Sequence, residues 1–157
     1  MLVQNAIADT LNNAEWTFAL AECLHIGGFA VGIGSIALVD LRMLNLGLRK
    51  ETAARILKYT EPWTMVALVF VVFSGLMLFL AQPEIYLQRA PYVLNERFMF
   101  LLKMSLLATA VLYNFTVHRR VAKMDNPPPA LSKLVAAVSL VLWVSIVFGG
   151  IFIGFLQ

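Results

Sequence analysis

The chain has 157 residues, of which 61% are apolar and only 13% charged, whereas an average soluble domain is about half apolar and a quarter charged. Mean hydropathy is +0.81, and a single small domain buries only about two-thirds of its chain surface, so this much apolar surface cannot be hidden from water. That excludes a soluble globular enzyme and a disordered chain, and the single cysteine, Cys23, excludes an internal disulfide and a CxxC zinc pattern.

The first residues, Met1 to Ala14, carry no basic stretch and do not read as a cleaved signal. A first apolar span follows over Trp16–Val39. Met43 to Pro62 is polar, with Glu51–Lys58 in helical period at the interface. The second span is Trp63–Ala81, and Pro83 to Arg97 is a loop broken by Pro83 and Pro91, with Tyr86 and Tyr92. The third span is Phe98–Val117. Met124–Pro129 is a stiff, non-helical turn because its three prolines lack donors. The fourth span is Leu134–Leu156. Each span has roughly the 20 residues needed to cross a hydrocarbon core of about 30 Å. None alternates with period two, and in lipid every backbone amide must be satisfied internally, which selects helices over a barrel. The expected fold is all-α: one integral-membrane four-helix bundle over residues 1–157, in contact with the lipid bilayer.

Lysine and arginine set the handedness. Loop one carries Arg42, Arg49, Lys50, Arg55 and Lys58, and loop three carries Arg119, Arg120, Lys123 and Lys133. Loop two has only Arg89 and Arg97, and the tails have none. Basic loops stay cytoplasmic, so both termini are expected on the outer, periplasmic side of a bacterial inner membrane. The net charge of +3 is then explained by topology and anionic lipid, and no nucleic-acid partner is expected.

Ionisable groups at membrane depth are costly and usually functional. Glu22 and His25 are three apart and share a helical face, which continues through Gly28, Phe29 and Gly32. The Gly28–Gly32 pair serves either a close helix contact or a space beside His25 for a flat ligand such as a porphyrin. Lys103, Ala110, Asn114 and His118 form a stripe on the third span. Glu22, His25 and Lys103 fall within roughly 8–14 Å of the outer boundary, so an ion pair between Glu22 and Lys103 competes with a Lys103 that reaches back to water. His118 lies some 18 Å deeper than His25, so the two cannot ligate one iron. It is either an interfacial side chain beside Arg119 and Arg120 or the holder of a second centre. Met77 and Met104, or His25 of a second copy, are the candidate second ligands for an iron on His25, methionine being a known partner of histidine; membrane filling is the plainer role of the methionines.

Other chemistry finds less. Glu22-x-x-His25 matches half of a di-iron bundle motif, which needs two such units and two more carboxylates. A zinc hydrolase needs three protein ligands, and Cys23 points about 100° away from Glu22. Asp40 is expected to pair with Arg42, or with Arg119 or Arg120. Ser139, Trp143, Gly150 and Gly154 mark a packing seam on the fourth span, facing Trp63, Ser74 and Met77 of the second.

Leu24-His25, Val39-Asp-Leu-Arg42, Asn95 to Phe98 with Lys103, Asn114-x-x-x-His118, and Ser139-Leu with Leu142-Trp143 occur in that order. Together they resemble an uncharacterised family, a domain of unknown function, of four-helix bacterial inner-membrane proteins. More distantly, the early histidine resembles that of copper-resistance D type membrane proteins. The resemblance implies fold and location and no reaction. It departs near the end of the fourth span, where the family tends to have Gly-Arg and this chain has Gly149-Gly150, so a cation that would hold a ligand carboxylate or propionate is missing there.

Three functions follow. The first is a haem b-binding electron-transfer protein centred on His25, with Gly28 and Gly32 giving room and a redox partner protein. The second is copper or other cation handling by Glu22, His25 and a methionine, since thioether and imidazole suit Cu(I). The third is an accessory subunit or homo-oligomer in which Glu22, Lys103 and Asn114 join helices.

Overall fold

The structure, a computed structural model, describes residues 15–83 and 96–155. Helix α1 is Glu15–Met43 and α2 is Ala53–Ala81. Helix α3, Glu96–Tyr113, passes through a π-helical turn, Asn114–His118, into α4, Arg119–Ala122. Helix α5 is Pro129–Phe155. Four stretches are long and apolar enough to cross a membrane, Trp16–Met43, Ala53–Ala81, Arg97–Ala122 and Pro129–Ile153. The described residues contain no strand. The described residues are thus all-helical, and the four apolar helices make this a multi-pass membrane protein. The expectations for Met1–Ala14 and for Tyr86, Arg89 and Tyr92 lie outside the described residues.

The helices begin earlier and run longer than apolar runs alone indicate. Glu51–Lys58 is not a separate interfacial helix: from Ala53 it is the first part of α2. Thr52 caps it, its hydroxyl oxygen accepting from the Arg55 amide at 3.2 Å. The helix continues through Pro62, which removes one main-chain donor, while Ile56, Leu57 and Thr64 around it are buried. Pro129 opens α5 instead of belonging to the turn, since a proline at the first helical position removes an amide that had no partner there. Asn45, at φ 63°, turns the chain out of α1.

Contacts fix how the spans run. Gly28 meets Val71 and Gly32 meets Ala67, so α1 and α2 are antiparallel. Lys103 meets Gly149 and Gly150 while Tyr113 meets Val135, so α3 and α5 are antiparallel. Asp40 meets His118, and Phe29 meets Lys103, so spans one and three run the same way, as their numbering in the bundle requires.

The interior is layered. Ile36, Ala110, Trp143 and Ile146 fill the middle. Val39, Met43, Leu57, Val121 and Ala136 pack at the end that carries loops one and three. Outward faces stay apolar: Val69, Phe70, Val72, Phe73 and Leu76 are exposed on α2. A surface of that kind is costly in water and suited to hydrocarbon. Ser139 and Trp143 lie buried, so the seam expected on α5 is a packing face, although Trp63 of α2 faces outward.

Candidate functional site

Two polar groupings interrupt the apolar interior. The first is built on His25, half-buried on α1. Its Nδ1 lies 3.1 Å from the Val71 carbonyl oxygen and 3.0 Å from Ser74 Oγ on α2. A carbonyl can only accept, so Nδ1 carries the proton. Ser74 donates its own hydrogen to the Phe70 carbonyl and accepts from the ring. The neutral imidazole therefore presents Nε2 as a bare lone pair, the arrangement by which a backbone carbonyl orients a metal-ligating histidine.

Gly75 makes this position possible. A Cβ there would sit 2.9 Å from His25 Cε1, so the ring rests directly on the α2 backbone. Phe29 meets the ring edge-on, with centroids 5.0 Å apart and planes at 80°. Lys103 reaches from α3 to place Nζ 5.5 Å from the Phe29 centroid, a cation–π distance. The same ammonium lies 3.3 Å from where a Cβ of Gly150 would stand. His25, Phe29 and Lys103 thus form one group drawn from two spans, with glycines of α2 and α5 beneath its two ends.

The remaining residues expected near His25 are distributed differently. Gly28 and Gly32 face α2 and not a space: a Cβ on Gly28 would stand 2.8 Å from Val71 Cγ2 and 3.3 Å from the Ala67 carbonyl, and one on Gly32 3.3 Å from Ala67 Cβ. The two glycines are used for helix approach. Glu22 is exposed, and among the described residues it makes no ion pair with Lys103. Met77 is half-buried on α2, one turn beyond Ser74, while Met104 is exposed on α3. No cluster of three His, Cys, Asp or Glu side chains occurs among the described residues.

The second grouping lies toward the other end. Asp40 is 0% exposed and His118 1%. His118 Nε2 donates to Asp40 Oδ1 at 2.7 Å, and the Ser139 hydroxyl donates to Asp40 Oδ2 at 2.7 Å. Three spans are joined by one carboxylate. His118 is therefore an interior residue and not an interfacial one: the π-helical turn and α4 carry the span four residues past it. Asp40 takes neither Arg42 nor Arg119 nor Arg120. Arg42 instead donates to the Glu51 carbonyl and to Asn45 Oδ1, closing loop one, and Arg119 pairs with Glu61 at 2.8 Å. Asn114 is buried one turn before His118.

Sequence reasoning missed Gly75 and Glu61 and the bond from Ser139 to Asp40. Ser74-Gly75 within an otherwise large-residue span was the available signal, since a small residue beside a hydroxyl marks where a neighbouring helix inserts a polar ring.

The model of the family of unknown function DUF6644 matches residues 6–156, almost the whole chain. The chain belongs to that family. No curated protein and no solved structure matches it, so what DUF6644 members do has to be argued from the residues themselves.

Proposed function

We propose that this DUF6644 protein is a haem b-binding, electron-transfer protein of the bacterial inner membrane, with His25 as an axial ligand. The observation that supports this most is the fixed tautomer: Nδ1 held by Val71 and Ser74, Nε2 left with its lone pair. A porphyrin brings four of its own donors, so one or two axial residues suffice. A bare zinc ion asks for three or four protein ligands at one point, and no cluster of three His, Cys, Asp or Glu side chains exists among the described residues. When bound, the haem would supply one-electron chemistry. The protein's part is to orient the imidazole through Val71 and Ser74, to shield one side with Phe29, and to set the Lys103 ammonium nearby as a partner for a propionate, a role for which Gly149 and Gly150 offer no cation. Met77, or His25 of a second copy, would be the further residue that holds the haem.

The topology supports an orientation. Arg42, Arg49, Lys50, Arg55, Lys58, Arg119, Arg120, Lys123 and Lys133 lie at the end where α1 finishes and α2 and α5 begin, and a basic end stays cytoplasmic. His25 then stands toward the periplasm, with an electron-exchange partner on that side.

The test is an absorption spectrum of detergent-purified protein expressed with ample haem. A Soret band is expected, lost in His25→Ala and kept in His118→Ala. Colourless protein refutes the reading, and colourless protein that retains copper on metal analysis establishes the cation alternative instead.

A further inference from the structure

Beside the Asp40–His118–Ser139 group, three buried side-chain atoms make no hydrogen bond: Asn114 Oδ1, His118 Nδ1 and Arg119 Nε, the last 2.8 Å from Glu61 Oε1 but out of hydrogen-bond geometry. All three residues line a small cleft with Thr60, Glu61 and Thr64, backed by Ile36, Val39, Leu57 and Phe115. A buried polar atom without a partner is costly, and several around one cleft call for a shared partner.

The partner's chemistry follows from the donors already spent. A His118 ring with a single proton holds it on Nε2 toward Asp40 and offers Nδ1 as an acceptor. Asn114 Oδ1 is an acceptor by nature. Thr60 gives its hydrogen to the Ile56 carbonyl and Thr64 to the Thr60 carbonyl. Arg119 is held by Glu61. The cleft thus presents two acceptors and, in Arg119 Nε, one donor without a hydrogen bond, so what fits must donate twice and can accept once. Its volume is about 10 Å³, the lower limit for one water and far too small for an organic ligand. Glu61 is already neutralised by Arg119, and the Asp40 carboxylate is turned toward His118 and Ser139, so no spare negative charge faces the cleft to hold a metal ion.

We infer that this cleft holds one water molecule donating to both Asn114 Oδ1 and His118 Nδ1, and that the water opens the buried Asp40–His118–Ser139 group to proton exchange with the rim at Glu61 and Arg119. The Arg119 and Glu61 side chains are 42% and 20% exposed, so the rim lies at the surface of the bundle. A proton arriving on the water passes inward as one O–H bond breaks and the Nδ1–H bond forms. The resulting imidazolium keeps Nε2–H on Asp40, and the reverse step returns the proton. The charged or titratable groups around His118 are Asp40 from α1, Glu61 from α2, Tyr113 from α3, whose hydroxyl donates to the Val135 carbonyl, and Arg119 from α4. From α5 the group gains only the Ser139 hydroxyl. A π-helical turn at such a place is typical of functional sites. This inference does not depend on haem at His25.

The chain contains two histidines, so protein labelled with ¹⁵N-histidine in micelles gives a spectrum of two rings, assigned with His25→Ala. The expected result is His118 in the Nε2–H form, with magnetisation transfer from water to its ring. Asn114→Leu removes the second acceptor and fills the cleft, and deuterium exchange at the His118 ring is expected to become roughly tenfold slower, the scale of one lost buried hydrogen bond. Absence of water transfer in the unsubstituted protein overturns the inference, whether or not Asn114→Leu folds. So does unchanged exchange in a folded Asn114→Leu. A His118 signal that moves on adding zinc or on treatment with EDTA also overturns it, because the occupant is then a cation.

Discussion

Asp40→Ala removes the one acceptor shared by His118 and Ser139, and the two orphans differ in what they can do next. Ser139 sits within α5, so its hydroxyl can turn back to the carbonyl four residues earlier and recover most of its bond. His118 is 1% exposed and its Nε2–H points at Asp40, and an unpaired buried donor costs about 1–3 kcal/mol. Interhelical hydrogen bonds in membrane proteins average only about 0.6 kcal/mol each, because the helices separated in lipid also find partners. The smaller value applies to Ser139 and the larger to His118, which gives a destabilisation of about 2–4 kcal/mol. Asp40→Asn keeps the shape: Oδ1 accepts from His118 and Nδ2 donates to the Ser139 oxygen, so only the charge assistance is lost, about 1 kcal/mol. Unfolding in mixed micelles of increasing SDS measures both. An Asp40→Ala protein within about 0.5 kcal/mol of the original, the range of an unremarkable surface substitution, refutes the buried three-span linkage. So does an Asn variant as damaged as the Ala variant, since shape would then count for nothing.

Gly28→Val puts side-chain atoms inside the Val71 and Ala67 contacts, where even a Cβ stands 2.8 Å from Val71 Cγ2. It is expected to lower SDS resistance by about 1–3 kcal/mol, the usual cost of overpacking, with Gly34→Val, whose Cβ meets nothing within 4 Å, as the neutral control. Gly75→Ala drives a methyl to 2.9 Å from His25 Cε1, so the ring must swing off Val71 and Ser74. Helicity by circular dichroism should hold while the Soret band broadens or disappears, and an unchanged band would mean that His25 is not the ligand. Tyr113→Phe deletes one hydroxyl that donates to the Val135 carbonyl at 3.1 Å. A loss of about 0.5–1.5 kcal/mol is expected in the same SDS titration.

Depth was legible in the sequence, and azimuth was not. Rise along a helix is fixed at about 1.5 Å per residue, so counting placed His25 with Lys103 and separated His118 from His25, and the structure brings both His25 and Lys103 against Phe29. Which side of a helix meets which neighbour depends on how four rods are rotated about their axes, and apolar residues all round give little sign of it. That is why Gly28 and Gly32 were open to two readings, and why Glu22 was a candidate partner for Lys103 although it faces outward. Helix ends were misjudged for another reason. Thr52 and Pro129 set them through cap chemistry, and the interior extends beyond the apolar run wherever a buried charge such as Asp40 finds His118. The neighbouring Arg119 and Arg120 made His118 read as interfacial, while Arg119 was in fact taken by Glu61.

The two histidines show how one bundle assigns opposite duties to the same side chain. His25 has its Nδ1 proton bound to the helix it leans on, sits half-buried, and keeps Nε2 bare, which suits a ligand that arrives from outside the contact. His118 has Nε2 bound to a carboxylate, is closed off by three spans, and has room beside Nδ1 for no more than a water. A second haem at His118 would have to displace Asp40, leaving the carboxylate buried without its donor at a cost of several kcal/mol, and would find no cavity to enter. The two centres of a transmembrane electron wire are therefore not both available. On the two proposals made above, the His118 end exchanges a proton and the His25 end an electron, and any coupling between them runs along α1, which bears both His25 and Asp40 roughly 22 Å apart at 1.5 Å per residue.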